Sequence, residues 1–383
     1  MFSSVPLRKL GKDGPEIPSM GYGMMGLSQP VYGSVSSEED KFAILDRAYG
    51  LGARHWDSSD LYNDNEETVG KWFKRTGKRD EIFLATKFGF VKGKFPELDS
   101  TGEYAKKACE ESLRILGVEY IDLYYLHHPN PKTPIEDTMR GLKELQDQGK
   151  IKHIGLSSIS SKTLLRASKI AKISAVQVGY SPFELDIESS KGTDLLATCC
   201  HLGIAVIAAM PLGRGILTST LANNTPLDPK DMRPTFMPRF QAANKQKNVV
   251  IAKQWKNLAD GKNCTSAQLA LAWLLKQGED IFVIPGTKQI KCLEENCGAL
   301  GVELSDEDVT QIRQFAETAD IAGGSLPPNF ESFTFSDTVE EGSWEVVQIP
   351  MFPAIFVIID VDACLYSQYT KKNISVSWVK RIS

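Results

Sequence analysis

Four residues in the first third of the chain could together move a proton onto a carbonyl oxygen: Asp57, Tyr62, Lys87 and His127. Asp57 ends the run His55-Trp56-Asp57, and Tyr62 follows five residues later. Lys87 closes Leu84-Ala85-Thr86-Lys87, and His127 closes Tyr124-Tyr125-Leu126-His127. A lysine after an apolar run is costly to desolvate without a counter-ion, and Asp57 can supply one. A phenol, with an ordinary pKa of about 10, is a weak acid at neutral pH. A neighbouring ammonium stabilises the phenolate and lowers that value. In this reading Asp57 keeps Lys87 charged, His127 orients a C=O by hydrogen bonding, and Tyr62 gives the proton as hydride reaches carbon. The same residues could instead form a structural ion pair with Tyr62 incidental. The His127-His128 doublet does not suit a metal, because neighbours on a strand face opposite ways.

The elements that must position these residues repeat along the chain. Lys12-Asp13-Gly14 separates Leu7–Leu10 from Glu16–Pro18, a hairpin signal. Apolar runs at 20–24, 54–58, 82–88, 121–128, 151–157, 175–180, 204–210 and 282–285 predict eight strands. Amphipathic helices are predicted over 37–51, 66–74, 101–116, 135–148, 161–172, 194–202 and 290–300, with two, 244–259 and 265–277, after the seventh strand. A further helix falls near Ser305–Glu317. The expected fold is α/β, a (β/α)8 TIM barrel with an N-terminal β-hairpin and extra helices after strand 7 and at the C-terminus. An open doubly wound sheet is the alternative. Against it, no Gly-x-Gly-x-x-Gly follows the first strand, and the reactive residues fall at the C-terminal ends of different strands. Side chains alternate, so Lys87, Ala85 and Phe83 share one strand face, as do His127, Tyr125 and Leu123. The polar segment Arg214–Arg239 is far longer than an ordinary strand–helix connection and is expected to be a lid over the barrel mouth.

Composition narrows the function classes. The 383 residues carry 44 Lys and Arg against 48 Asp and Glu, a formal net charge of −4. With no basic block, neither nucleic acid nor an anionic membrane is an expected partner. The seven cysteines are scattered and form no Cys-x-x-Cys pair, which suits reduced thiols in a cytoplasmic setting. The longest apolar stretch, Ile349–Val361, is shorter than the about 20 residues that span a bilayer. No metal is expected.

The motifs, taken in order, resemble the aldo-keto reductase superfamily, in the branch of pyridoxal-reductase-like and auxin-induced-like enzymes. They are Asp57 to Tyr62 with Asn65-Glu66, Thr86-Lys87-Phe88-Gly89, Asp122 to His127, Gly155-Leu156-Ser157-Ser158, Val176-Gln177-Val178, Pro211 to Gly215, and Ile284-Pro285-Gly286-Thr287. The resemblance implies an NADP(H)-dependent reductase of aldehydes or ketones with Asp57, Tyr62, Lys87 and His127 as its tetrad. It implies that Ser157, Ser158 and Gln177 contact the nicotinamide carboxamide. Gly23, Met24, Met210, Pro211, Leu212 and Arg214 would also contact the cofactor. Thr287, Lys288, Lys291, Glu295 and Asn296 would hold its adenosine end and 2′-phosphate, at the start of a helix that suits a phosphate. Two positions depart from the pattern: Cys292 stands where many relatives carry Arg, and Ala209 where a Tyr usually stacks on the nicotinamide. Tyr32, Phe88, His128 and Phe236, with Phe90 and Met237, are the candidate substrate walls. A cofactor-binding regulatory subunit on the same barrel, like the potassium-channel β-subunits, is the alternative function. The resemblance places the barrel domain in residues 1–341 and leaves 342–383 as a non-family C-terminal extension, expected to be poorly ordered.

Overall fold

Gly11 takes a left-handed φ of 71° and turns the chain between β1 (Leu7–Lys9) and β2 (Glu16–Pro18), which pair antiparallel as the hairpin signal predicts. The structure is a computed structural model that describes residues 5–342, 346–347 and 357–358. Eight parallel strands follow: β3 (Tyr22–Gly23), β4 (His55–Asp57), β5 (Phe83–Phe88), β6 (Ile121–Leu126), β7 (Ile151–Ser157), β8 (Ala175–Gly179), β9 (Ala205–Ala209) and β10 (Ile281–Val283). Each pairs with the next in chain order. Parallel bridges from Met20 to Val283 and from Gly23 to Gly286 join the last strand to the first. This is the expected (β/α)8 barrel, and the helices lie near their predicted positions. Helices Glu38–Gly50, Gly102–Leu116 and Asp306–Thr318 each start on a Ser or Thr whose side chain accepts a backbone N–H of the first turn. The helix predicted to run to residue 172 stops at Ala167.

Strand alternation divides the core in two. Ala85, Leu123, Tyr125, Ala175, Ala205, Ile207, Phe282 and Ile284 point into the barrel, over Leu10 and Ile17 of the hairpin. Their outward neighbours, among them Trp56, Leu84, Phe88, Tyr124 and Val206, pack against the helices. Residues of one parity therefore reach the barrel axis, and Asp57 and Lys87 belong to that parity. Gly155 completes the interior: a Cβ there would sit 2.3 Å from the Tyr125 ring. The ring occupies the space a side chain would take, 5.9 Å from the Lys87 ammonium. Gly155→Ala is expected to cost about 1–3 kcal/mol through overpacking. A denaturant midpoint equal to wild type would contradict this account.

The segment expected as a loop over 214–239 is built of short helical pieces, Gly213–Gly215, Ser219–Ala222, Arg233–Phe236 and Pro238–Phe240. Its middle is tied to the first strand–helix connection, where Met232 donates to the Val31 carbonyl and Tyr32 bridges Asp231. No helix among the described residues is long and apolar enough to cross a membrane. Residues 1–339 form one unit and 340–383 a second. Of the second, the described part includes a two-stranded antiparallel ladder, Val346–Val347 with Val357–Ile358. The expected poor order of 342–383 otherwise falls outside the described residues.

Candidate active site

Strand β4 delivers Asp57 and strand β5 delivers Lys87 to the same end of the barrel, and there they pair. Lys87 Nζ is 2.5 Å from Asp57 Oδ1 and donates at 2.7 Å to the Ser58 carbonyl. The lysine is wholly buried. Burial alone pulls its pKa down, yet Asp57 and Tyr62 outweigh that and hold it above the ordinary value. Lys87 is therefore a fixed positive charge. The second Asp57 oxygen accepts from Gln177 Nε2 at 2.7 Å, so β8 braces the carboxylate from across the barrel. Beneath them His55 is fully buried. Burial, opposed by Asp57 and aided by Lys87, drives its pKa to about 4, so it adds no second cation.

Tyr62 stands on the turn after β4, with its ring centroid 5.2 Å from Lys87 Nζ. The phenol's pKa is raised, because burial pushes it up further than the Lys87 charge pulls it down. This reverses the direction expected from the ammonium alone. At neutral pH Tyr62 is a protonated hydroxyl, with Lys87 ready to stabilise the phenolate left when the proton departs. His127 follows β6, its ring 5.9 Å from that of Tyr62 at 84°. Burial, with His128 and Lys87 adding to it, lowers its pKa well below the ordinary value. A neutral imidazole can donate one N–H to a carbonyl oxygen. The four side chains thus assemble a fixed cation, a protonated phenol and a neutral imidazole, a set able to polarise a C=O and protonate its oxygen.

The other candidate residues lie as follows. Ser157 and Ser158 put their hydroxyls 3.5 Å apart, beside the Gln177 backbone, whose carbonyl accepts from Ser158 N–H. Gly23, Met24 and Thr287 share the seam where the barrel closes: Met24 N–H donates to the Asp57 carbonyl, and Tyr22 hydroxyl to that of Thr287. Lys288 reaches across to the carbonyls of Tyr32 and Ser34. Lys291 is exposed, Asn296 is buried, and the carbonyl of Glu295 accepts from Gln268. Leu212 precedes Gly213, Arg214 and Gly215, which all have left-handed φ, as does Met210 before Pro211.

Among the proposed substrate walls, Phe88 is corrected. It is wholly buried on the outward face of β5, stacked on Tyr124 at 5.1 Å, because strand parity that turns Lys87 inward turns its neighbour toward the helices. Phe90 is the residue that meets the imidazole, edge-on to His127 at 5.5 Å. His127 and His128 do not face opposite ways as strand neighbours would: β6 ends at Leu126, and beyond it the two rings stack at 5.0 Å, with His128 Nδ1 3.2 Å from the Phe333 carbonyl. Tyr32 sits under the Arg233 guanidinium, Phe236 is half exposed, and Met237 is buried. Two contacts have no counterpart in the sequence reading: the Gln177 amide on Asp57, and the Ser59 hydroxyl 3.1 Å from His127 Nδ1. Only the doublet Ser58-Ser59 beside the acid hints at the second.

The residues present fit a phosphate-bearing dinucleotide on two observations. Arg214 carries a buried Nε with no hydrogen-bond partner among the described residues. The helix Ile290–Gly298 begins without a side-chain cap, leaving its first N–H groups for an anion, with Lys288 and Lys291 flanking.

The model of the family described as "Aldo/keto reductase family" matches residues 19–317. The chain is 44% identical over 324 residues to aldo-keto reductase str7 of Strobilurus tenacellus, covering 83% of this chain and 94% of that protein. It is 45% identical over 342 residues to a Schizosaccharomyces pombe aldo-keto reductase, yakc, whose name specifies NADP(+), covering 88% of this chain and 98% of that one. The solved holo form of an aldo-keto reductase from Bacillus halodurans superposes with a TM-score of 0.67 at 27% identity, covering 84% of this chain and 98% of that one.

Proposed function

The chain belongs to the aldo/keto reductase family, and on that premise we propose that it reduces aldehydes or ketones with NADPH, using Tyr62 as the proton donor. The observation that carries this reading is the buried Lys87–Asp57 pair set against a protonated Tyr62. NADPH, when bound, supplies the hydride. Ser157, Ser158 and Gln177 would hold its carboxamide. Arg214, Thr287, Lys288 and Lys291 would hold its phosphates and adenosine, near Glu295 and Asn296. The name of the fission-yeast relative supports NADP over NAD.

Each protein group then has a stated task. His127, neutral and able to donate, orients the substrate oxygen toward the Tyr62 hydroxyl. Tyr62 transfers its proton as negative charge builds on that oxygen. Lys87 stabilises the phenolate, and Asp57, braced by Gln177, keeps the ammonium in place. Mixing the protein with NADPH and 4-nitrobenzaldehyde is expected to consume NADPH and yield the benzyl alcohol. Tight NADPH binding with no turnover across a broad panel of carbonyl compounds would reject the enzyme in favour of a cofactor-binding regulatory subunit.

A further inference from the structure

A neutral imidazole carries one N–H, and on which nitrogen it lies decides whether His127 can donate to a carbonyl. Its Nδ1 faces the Ser59 hydroxyl at 3.1 Å. Ser59 is buried, and its oxygen accepts the Leu61 N–H at 3.2 Å, which fixes where the hydroxyl sits. The other acceptor within reach of that hydroxyl is Asp60 Oδ1, at 3.3 Å. One proton therefore stands between two acceptors. Directed at His127, it makes Nδ1 an acceptor and places the ring proton on Nε2. Directed at Asp60, it leaves the Ser59 oxygen to accept from Nδ1–H, and Nε2 loses its proton.

Resting on the reductase reading above, we propose that Ser59 is a positioning residue that holds His127 as the Nε2–H tautomer, and that Asp60, by carrying or releasing a proton, decides whether it does so. With Asp60 protonated, its O–H can donate to Ser59, which then donates to His127 Nδ1. With Asp60 ionised, the carboxylate competes for the Ser59 proton and the tautomer is released. Burial, with Glu66 adding and Ser59, Lys92 and the Leu61 N–H opposing, moves the Asp60 carboxyl up to about 8. Tyr104 and Tyr124 also feel its charge. Lys87 and His128 face His127 and disfavour a second ring proton, so the choice is between tautomers and not between charge states.

The test uses the full chain and two readouts. Ring-nitrogen NMR, with the His127 signals assigned by their loss in His127→Gln, reports the tautomer without turnover. Steady-state kcat for 4-nitrobenzaldehyde reports the consequence. The wild type is expected to show Nε2–H at pH 7 and to lose it, with kcat, as pH rises through about 8. Ser59→Ala is expected to show mixed tautomers, a kcat about 3–10-fold lower at pH 7, unchanged NADPH affinity and no limb near pH 8. Ser59→Thr, which keeps the hydroxyl, is expected to restore the tautomer and the limb. A merely structural Ser59 would move neither. An unchanged Nε2–H signal in folded Ser59→Ala overturns the proposal whatever the turnover. A wild type that shows the tautomer switch but no reduction overturns the reductase reading instead.

Discussion

Tyr62→Phe is expected to lower carbonyl reduction by about 10²–10⁴, the usual contribution of a general acid, while NADPH affinity stays near wild type. The substitution removes one oxygen and keeps the ring, which is 8% exposed and edge-on to His127. Packing is thus preserved and the proposed proton donor is lost. Its protonation state gives a second prediction for the same assay. Because burial holds the phenol above its ordinary value, the donor is protonated throughout the neutral range. On the proposed reading, acid supply by Tyr62 is expected not to limit the wild type in the neutral range. Single-turnover decay of NADPH with 4-nitrobenzaldehyde separates chemistry from product release. A Tyr62→Phe variant that reduces the aldehyde at the wild-type rate would remove Tyr62 from the mechanism.

Lys87→Met is expected to produce two losses of different origin. Turnover falls by a factor comparable to Tyr62→Phe, since no cation remains to stabilise the phenolate. Stability falls by about 3–5 kcal/mol, because a buried Asp57 carboxylate is left with Gln177 as its side-chain partner. The double variant Lys87→Met/Asp57→Asn separates the two. Removing the orphaned charge is expected to recover much of the stability, read as a denaturant midpoint, and none of the turnover. Wild-type turnover at neutral pH in folded Lys87→Met would refute the proton-donor scheme.

The barrel is legible in the sequence because its signals are local. Apolar runs bounded by Gly, capped amphipathic helices, and reactive residues at strand ends each depend on a few neighbouring residues, and the strand–helix pattern recurs along the chain. Asp57, Lys87 and His127 can be placed at one mouth on that basis, with Tyr62 on the turn beyond. Phe88 shows where such reading slips: its neighbour Lys87 faces the barrel axis, and parity alone turns Phe88 to the helix layer. Residues 214–239 look like a loop in the sequence because their helical pieces are too short to show a period.

The sequence by itself determined the fold, the family and the identity of the candidate proton-transfer residues, since residue type and strand position carry that information. Only the tertiary structure decided their states. Gln177 meets Asp57 across 120 positions of chain, and Ser59 meets His127 across 68. Neither contact has a local signature. Burial is likewise a property of the assembled barrel, and it reverses the expected direction of the Tyr62 shift. The Lys87 charge is visible in the sequence, but the desolvation that outweighs it arises only when the surrounding strands and turns exclude water from the phenol.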